Sequence, residues 1–484
     1  MNLPLFVLVA LLLAPGSDKP KNPWIKKAPE IIGQFEREPS AKNLEAAFDA
    51  AWRADDWASG LKLATTAQEK FAGNANLYGR TLRALWRAGK LHEAEQEAKR
   101  IPVDTNDTIA LAALITLHDA RGDEDQAQKL AERLGRQKDL STNELITLAS
   151  SRNLKGKGAE VARILRQAKA LSNPDNGYPD IFMDDLLEGN ADFYAAVGDE
   201  PLNQITKTGS ADMPVLQLIN LPCCTVMIDG KGPYRLIVDT GGSVTLSLNS
   251  SVIEELGLKS MGTSSVRGVS GSQDSSQHIV DELRVGSIVC KRVVTRGIEF
   301  AAPLNTIADG ILGTGVFGDG RMLLDFDNAK LSVSKTSDEN GRGTPIDVRL
   351  LADAKIVGGI TLQGQSAWSI FDTGADVVAI SPLRLKALFP EKDFLEVRGA
   401  AGMGVGQGDN SPISMSDGLD FEIAGRKFVK HAAVGLGVLD TSFSPILGVQ
   451  CDFLAGMSLF RGMHSMTIDF AKVKMWIDWL PVKE

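Results

Sequence analysis

The 484-residue chain has little of what builds metal or nucleic-acid sites. Its four cysteines and five histidines have no metal-ligand spacing, which argues against zinc. It has no dense block of Lys or Arg, and its formal net charge of −9 further argues against nucleic acid as the main partner. The glycines between Gly402 and Gly408 precede no convincing helix, so we expect a loop and no dinucleotide cofactor. The sequence indicates no cofactor and no metal.

The chain also lacks an apolar run long enough to span a bilayer. Its longest such run, Leu3 to Ala14, suits the core of a secretory signal, with small residues for cleavage after Gly16. We therefore expect a signal peptide over residues 1–16, a linker over 17–39 and export to the periplasm or medium. An uncleaved anchor and a frayed apolar terminus are the alternatives.

The cysteines leave two possibilities open. Cys223 and Cys224 are adjacent, and neighbours rarely bridge each other without strain. In an exported protein one of them could pair with Cys290. Buried free thiols are the alternative.

The first third of the chain is helical and repetitive. Similar Trp- or Ala-containing segments recur every 32 to 34 residues, at Ala51–Ala54, Leu85–Gly89 and Leu117–Gly122. Ala94 and Ala98 recur 33 residues later as Ala127 and Ala131, and small residues there allow helices to pack closely. Residues 40–200 therefore resemble degenerate tetratricopeptide repeats. We expect a surface that docks a protein partner or caps the second domain; a generic helical array and a structural appendage are the alternatives.

From about residue 210 the chain becomes short β-branched runs separated by Gly, Asp and Asn, which is typical of an all-β barrel. This region duplicates itself, and we expect barrels at 210–338 and 345–484. In each copy a predicted hairpin runs directly into Asp-Thr-Gly, at Asp239 and again at Asp372. A short helix, a Gly-rich turn, an Ile-Leu-Gly element and an Asp-Phe pair then follow in the same order.

One Asp-Thr-Gly triplet means little, because about a tenth of one is expected by chance in such a chain. Two triplets in matching contexts resemble the aspartic proteases, specifically the retropepsin-like family, over residues 213–480. The resemblance implies a duplicated acid-protease barrel pair of retropepsin or pepsin type behind the all-α domain. It also implies that one chain builds the site from Asp239 and Asp372, with a protein or peptide as substrate.

The resemblance assigns further residues. Thr240, Gly241, Thr373 and Gly374 would support the two aspartates, with the threonines locking the triplets together. Gly313 and Gly448 would end apolar strands that pass close behind the pair. The turns that contain Gly268, Gly271, Gly399 and Gly402 would be flaps over the substrate, with ordinary hairpin glycines as the alternative.

The chemistry requires two carboxylates held close together, because both cannot then ionise cheaply. One takes a proton from a water while the other donates to the scissile carbonyl. Peptide-bond hydrolysis is thus the leading hypothesis. A binding or scaffold protein that keeps the fold without the activity is the second. The third hypothesis is that each half of the chain pairs with another chain to form an active site.

Overall fold

A computed structural model of the chain describes residues 22–151, 156–216, 219–242, 246–268, 271–300, 304–318, 320–351, 355–391, 395–397 and 413–481. These residues form two compact units. The helical unit contains the residues up to Glu200 and the short segment Pro445–Gln450. The β unit contains Pro201–Ser444 and the chain from Cys451 onward. The predicted signal peptide lies outside the described residues.

The helical unit is built from antiparallel helix pairs. Its described helices are α1 Trp24–Arg37, α2 Ala41–Ala54, α3 Trp57–Lys70, α4 Ala75–Arg87, α5 Leu91–Ala98, α6 Thr108–Arg121, α7 Glu124–Leu134, α8 Thr142–Ser150, α9 Gly158–Leu171 and α10 Asp180–Val197. The first helices of four successive pairs, α2, α4, α6 and α8, begin 34, 33 and 34 residues apart. Their partners α3, α5, α7 and α9 begin at the same three intervals.

Polar caps and small residues explain this regularity. The side chains of Ser40, Asn74 and Asp107 each accept a backbone N–H at the start of the helix that follows, as expected of N-cap residues. A Cβ on Gly79 would lie 2.6 Å from the backbone nitrogen of Ala110, so α4 and α6 pack at a distance that only glycine permits. The predicted repeat positions Ala94, Ala127 and Ala131 are buried.

The β unit contains twenty-three strands among the described residues. They are β1 Gln204–Lys207, β2 Gly209–Asp212, β3 Val215–Leu216, β4 Leu221–Ile228, β5 Lys231–Asp239, β6 Leu246–Asn249, β7 Gly262–Gly268, β8 Gly271–Val285, β9 Ile288–Ile298, β10 Gly310–Gly313, β11 Gly320–Asp325, β12 Lys330–Lys335, β13 Thr344–Ile346, β14 Val348–Leu350, β15 Ile356–Leu362, β16 Gln365–Phe371, β17 Ala379–Ile380, β18 Leu395–Val397, β19 Ile413–Ile423, β20 Arg426–Gly435, β21 Phe453–Ala455, β22 Met463–Asp469 and β23 Lys474–Trp479. Short helices lie between them, at α11 Ser250–Leu256, α12 Leu304–Ile307, α13 Pro382–Leu388, α14 Ser444–Leu447 and α15 Met457–Phe460.

Two equivalent hairpins carry the triplets. The β4–β5 turn has Asp229 and Gly230 at positive φ, and the β15–β16 turn has Gln363 and Gly364 at positive φ. Positive φ at both central residues gives the tight turn that matches strand twist. Each lobe then has its own sheet, ordered β1-β9-β6-β10-β5-β4-β8-β7 in the first and β14-β15-β16-β21-β17-β20-β19-β18 in the second.

A third sheet contains strands from both lobes, in the order β13-β23-β22-β11-β12-β2. At its centre β11 and β22 are antiparallel, with Met322 opposite Ile468. Both side chains are buried in the core that runs through the β unit. The predicted fold class is confirmed in its architecture: an all-α region of helix pairs precedes a duplicated all-β region.

The four cysteines are buried free thiols. Burial raises the pKa of Cys223, Cys224 and Cys290 to about 12, so these thiols are neutral and poorly reactive. Within the described residues, no helix has the length and apolar character needed to cross a membrane.

Candidate active site

The two Asp-Thr-Gly triplets meet at the centre of the β unit. Asp239 is the last residue of β5, and Asp372 directly follows β16. Both side chains are completely buried. The two strands are equivalent members of the duplicated hairpins, so each lobe delivers one carboxyl group to the same place.

Backbone N–H groups hold one oxygen of each carboxyl group. Asp239 Oδ1 accepts from Gly241 N at 2.9 Å and Gly242 N at 2.6 Å, and Asp372 Oδ1 accepts from Gly374 N at 2.7 Å. Among the described residues, neither Oδ2 atom has a hydrogen-bond donor. Buried polar atoms are normally satisfied, and exceptions of this kind are common at catalytic sites.

The threonines cross-link the two triplets. Thr240 N donates to Thr373 Oγ1 at 3.1 Å, and Thr373 N donates to Thr240 Oγ1 at 3.0 Å. Each hydroxyl donates in turn to the strand of the other lobe, Thr240 to Phe371 O and Thr373 to Val238 O, both at 2.7 Å. Four buried hydrogen bonds thus fix the position of one aspartate relative to the other.

The triplet glycines are required by close approach. A Cβ on Gly241 would lie 2.3 Å from the Asp372 carboxyl carbon, and one on Gly374 would lie 2.5 Å from that of Asp239. A Cβ on Gly242 would lie 2.3 Å from Asp239 Oδ2. Any side chain at these three positions would displace a carboxyl group.

The apolar strand behind each aspartate is where one sequence prediction fails. In the first lobe β10 runs parallel to β5, with Gly313 opposite Asp239 as predicted. In the second lobe the equivalent strand is β21, which places Ala455 opposite Phe371 and so brings Gly456 beside Asp372. The prediction of Gly448 is wrong.

Backbone conformation explains the correction. Ile446 and Leu447 lie in the helical turn α14, and Gly448 has φ of +67°, which an extended strand cannot contain. Its segment belongs to the helical unit, where Gln450 N donates to Arg87 O at 2.9 Å. Gly456 is extended, and a Cβ there would lie 2.2 Å from Val377 O, so this is the position that excludes a side chain.

Burial controls the ionisation of the pair. Desolvation raises the pKa of Asp239 to about 6, although Lys355 and the backbone N–H groups of Gly241 and Gly242 oppose the shift. Desolvation and then the charge of Asp239 raise the pKa of Asp372 well above its usual range. Both pKa values are therefore raised, and the two coupled carboxyls share a proton above the pH at which an ordinary aspartate ionises.

Sequence reasoning missed three groups next to the triplets. Lys355 is buried and donates from Nζ to Gly241 O at 3.1 Å and Gly242 O at 2.5 Å. Asn220 donates from Nδ2 to Asp376 Oδ1, and Arg461 pairs with the same oxygen at 3.1 Å. Asp376, four residues after Asp372, was the available signal for Asn220 and Arg461, because a second carboxylate in the triplet loop is expected to have a hydrogen-bond donor or a cation beside it.

The two strands of the first predicted flap lie within the described residues, whereas residues 269–270 between them do not. Strands β7 and β8 form a long hairpin that closes with Gly268 opposite Gly271. Gly399 and Gly402, in the second predicted flap, lie outside the described residues. Among the described residues there is no group of three His, Cys, Asp or Glu side chains that could hold a metal.

Residues 224–316 match the family model described as aspartyl protease. The matched region contains Asp239, Thr240, Gly241 and Gly313. No curated protein matched the chain.

Three of the solved structures that match each cover part of this chain. The chain is 14% identical to an aspartic proteinase from Irpex lacteus, covering 56% of this chain and 97% of that one, with a TM-score of 0.35. It is 14% identical to a retropepsin-like aspartic protease from Rickettsia conorii, covering 27% and 96%, with a TM-score of 0.21. It is 9% identical to Basic 7S globulin from soybean, covering 56% and 96%, with a TM-score of 0.33. At these values none of the three bears on the role of a residue.

Proposed function

We propose that the protein is an aspartic endopeptidase in which Asp239 and Asp372 of one chain activate a water molecule. One observation carries the proposal. Two fully buried carboxyl groups converge from equivalent strand ends, each with one oxygen fixed by its own triplet and the other oxygen without a hydrogen-bond partner among the described residues. Buried, like-charged pairs of this kind are common where proton transfer is needed at ordinary pH.

The proposed reaction uses the pair with one proton, and gives the ionised role to Asp239, whose triplet loop contacts the ammonium of Lys355. Asp239, ionised, takes a proton from a water whose oxygen attacks the scissile carbonyl carbon, while Asp372 gives its proton to the carbonyl oxygen. The tetrahedral diol then collapses: the proton now on Asp239 goes to the amide nitrogen, the C–N bond breaks, and Asp372 takes a proton back from the hydroxyl. The two carboxyls end as they began, so no cofactor is required.

The β7–β8 hairpin would cover the bound peptide. The hairpin is a long two-stranded arm whose last paired residues are Gly268 and Gly271, which suits a cover that opens for substrate. By the duplication, the turn with Gly399 and Gly402 would be its counterpart.

The experiment is proteolysis of an unfolded protein by the purified full-length chain across a range of pH. We expect cleavage that pepstatin blocks and that Asp239→Asn and Asp372→Asn each abolish. Asp281→Asn, an exposed aspartate on β8, is the matched control and should cleave like the wild type. A wild-type chain that cuts nothing at any pH while a partner co-purifies would favour the binding or scaffold alternative.

We further propose that the helical unit is a run of tetratricopeptide-like repeats that docks a protein substrate or partner. Its support is the 33–34-residue recurrence of both helices of each pair. A cavity of about 370 Å³ in this unit is lined by residues of successive pairs, among them Trp52, Arg83, Ile109, Asn143 and Leu171.

Docking of substrate can be separated from chemistry. Leu171→Asp places a charge in the cavity lining, and Val103→Asp places the same charge at an exposed apolar position outside it. We expect only Leu171→Asp to raise KM for a folded protein substrate, with neither variant changing cleavage of a short peptide. Equal behaviour of the two variants would count against docking in this cavity.

Export is part of the same proposal. The apolar run Leu3 to Ala14 would direct secretion, and the mature chain would begin at Ser17. Mass spectrometry of the protein from the cell exterior or periplasm tests this, and a chain that keeps its first sixteen residues inside the cell would refute it.

A further inference from the structure

Lys355 is a buried cation that joins the two lobes at the site. It comes from the second lobe, just before β15, yet its Nζ donates to the carbonyl oxygens of Gly241 and Gly242 in the first lobe's triplet loop. Its side chain is about 1% exposed. A lysine is almost never buried this completely unless its ammonium is engaged, because desolvation of the charge is costly.

The duplicated hairpins show that this cation has no equivalent in the other lobe. The β15–β16 register pairs Val357 with Ile370, and two residues further along it brings Lys355 opposite Asp372. The β4–β5 register pairs Cys223 with Ile237, and the same step brings Leu221 opposite Asp239. The equivalent position is therefore a fully buried leucine.

The corresponding contact in the opposite direction is made by different chemistry. Asn220, next to Leu221, donates its side-chain amide to Asp376 in the triplet loop of the second lobe. Asp376 also pairs with Arg461. Each lobe thus contacts the triplet loop of the other. The first lobe donates from the neutral amide of Asn220 to a carboxylate, whereas the second donates from the ammonium of Lys355 to two backbone carbonyls. The charge around the two aspartates is therefore asymmetric.

We propose that Lys355 is a positioning residue that gives the two aspartates different roles. Its ammonium favours the ionised form of Asp239, which then accepts the proton of the water, and so leaves the shared proton on Asp372. Two identical lobes would present equivalent aspartates, and the single lysine breaks that equivalence. This inference rests on the proposed function, because the two roles belong to peptide hydrolysis.

The electrostatics agree with this geometry. Within the described part of the chain, the charged groups that act on Asp239 are Lys355 and Asp372, and those that act on Asp372 are Asp239 and Lys355. Lys355 is the largest influence that lowers the pKa of Asp239, after desolvation has raised it. For Asp372 the charge of Asp239 raises the pKa, and Lys355 is the smallest of the named influences. Among the influences that lower each pKa, Lys355 therefore ranks first for Asp239 and last for Asp372.

Three substitutions separate the charge of Lys355 from its hydrogen bonds. Lys355→Arg keeps the charge, Lys355→Gln keeps an N–H donor for the two carbonyls, and Lys355→Met keeps only the volume. The readout is the acid limb of kcat/KM against pH, which reports ionisation of Asp239 in the free enzyme. We expect Lys355→Gln and Lys355→Met to move this limb up by about one pH unit, since an opposite charge nearby lowers a carboxyl pKa by about one to three units. Lys355→Arg should leave its position unchanged.

A purely structural role would give a different pattern. Loss of the hydrogen bonds alone would lower activity evenly at every pH, most in Lys355→Met and least in Lys355→Gln. That pattern, with the acid limb fixed in all three variants, would overturn the proposal.

A second measurement does not depend on turnover or on Lys355→Met folding well. In an Asp372→Asn chain Asp239 titrates alone, and carboxyl-selective NMR can follow it with and without Lys355→Gln. We expect the added substitution to raise the pKa of Asp239 by about one unit. An unchanged pKa overturns the inference. A raised pKa in this chain, combined with a wild-type protein that cleaves no peptide, would sustain the electrostatic role of Lys355 and refute the proposed function instead.

Discussion

Thr240 and Thr373 each accept a hydrogen bond on the hydroxyl oxygen from the backbone N–H of the other, at 3.0 and 3.1 Å. The contact is reciprocal, it is buried, and it joins residues 133 positions apart in the chain. Because each threonine follows an aspartate directly, this exchange sets the spacing of the two carboxyl groups. The geometry of the candidate active site depends on these two hydrogen bonds.

The first prediction concerns this exchange. Thr373→Val keeps the volume of the side chain but removes its hydroxyl, which leaves Thr240 N and Val238 O buried without their partner. Each unsatisfied buried group costs about 1 to 3 kcal/mol, so for the two groups we expect a loss of about 2 to 6 kcal/mol in the free energy of unfolding, together with loss of cleavage. Urea unfolding of the full-length wild type and of the variant measures this loss in the free energy of unfolding.

Thr373→Ser is the matched control, because it keeps the hydroxyl and removes only a methyl group. It should retain most of the stability and cleavage. If the valine and serine variants were equally stable and equally active, the hydrogen bonds would not be what fixes the pair.

The second prediction concerns the pH dependence of stability. The folded-state pKa values of Asp239 and Asp372 both lie above the unfolded value of 3.8. The folded state therefore holds more protons between the unfolded and folded pKa values, and stability falls as the pH rises through that interval. For Asp239 the interval runs from about 4 to about 6, and a shift of this size corresponds to about 3 kcal/mol.

Replacing one carboxyl group removes this penalty. Asp372→Asn should be more stable than the wild type at pH 8, and the difference should shrink toward pH 4, where the wild-type carboxyls are protonated. Unfolding midpoints at the two pH values test this, with Asp281→Asn as a control that follows the wild type. Parallel curves for wild type and Asp372→Asn would mean that the buried pair does not titrate as described.

The third prediction separates the two glycines that compete for one role. Gly456→Ala would put a methyl group 2.2 Å from Val377 O beside Asp372, so we expect the variant to be strongly destabilised and inactive. Gly448→Ala places alanine at φ of +67°, which costs about 1 to 2 kcal/mol, with Tyr178 Oη as the nearest neighbouring atom at 4.0 Å. It should keep its cleavage activity. If a peptide-cleavage assay found Gly448→Ala inactive and Gly456→Ala active, Gly448 would be the glycine that passes close behind Asp372.

Much of the fold was accessible from the sequence, because the duplication supplies its own control. Each triplet lies at the end of a hairpin whose turn has a glycine and the residue before it at positive φ. Turn sequences of this kind predict hairpins from local sequence alone, and they predict both of these. The helical repeats were accessible for the same reason. Two helices were missed: α1, which lies in the stretch 17–39 that was predicted to be a linker, and α3, whose sequence lacks the landmarks of the later second helices of the pairs.

The errors at the site are long-range in origin. Gly448 was chosen because Ile-Leu-Gly occurs twice, whereas strand register selects Phe453–Ala455 and then Gly456. A repeated tripeptide does not show that the second copy has an additional helical turn before its strand. Lys355 was missed because a single lysine near apolar residues has no periodic signal. Its partners, Gly241 and Gly242, lie more than a hundred residues away.

The most direct test of the central claim mixes two inactive chains. If Asp239 and Asp372 of one chain form one site, wild-type protein cleaves a peptide, whereas Asp239→Asn, Asp372→Asn and their equimolar mixture all remain inactive. If each half instead pairs with another chain, mixing restores activity, because some assemblies then contain one intact Asp239 and one intact Asp372. Recovery of cleavage in the mixture, or undiminished cleavage by either single variant, would contradict the account.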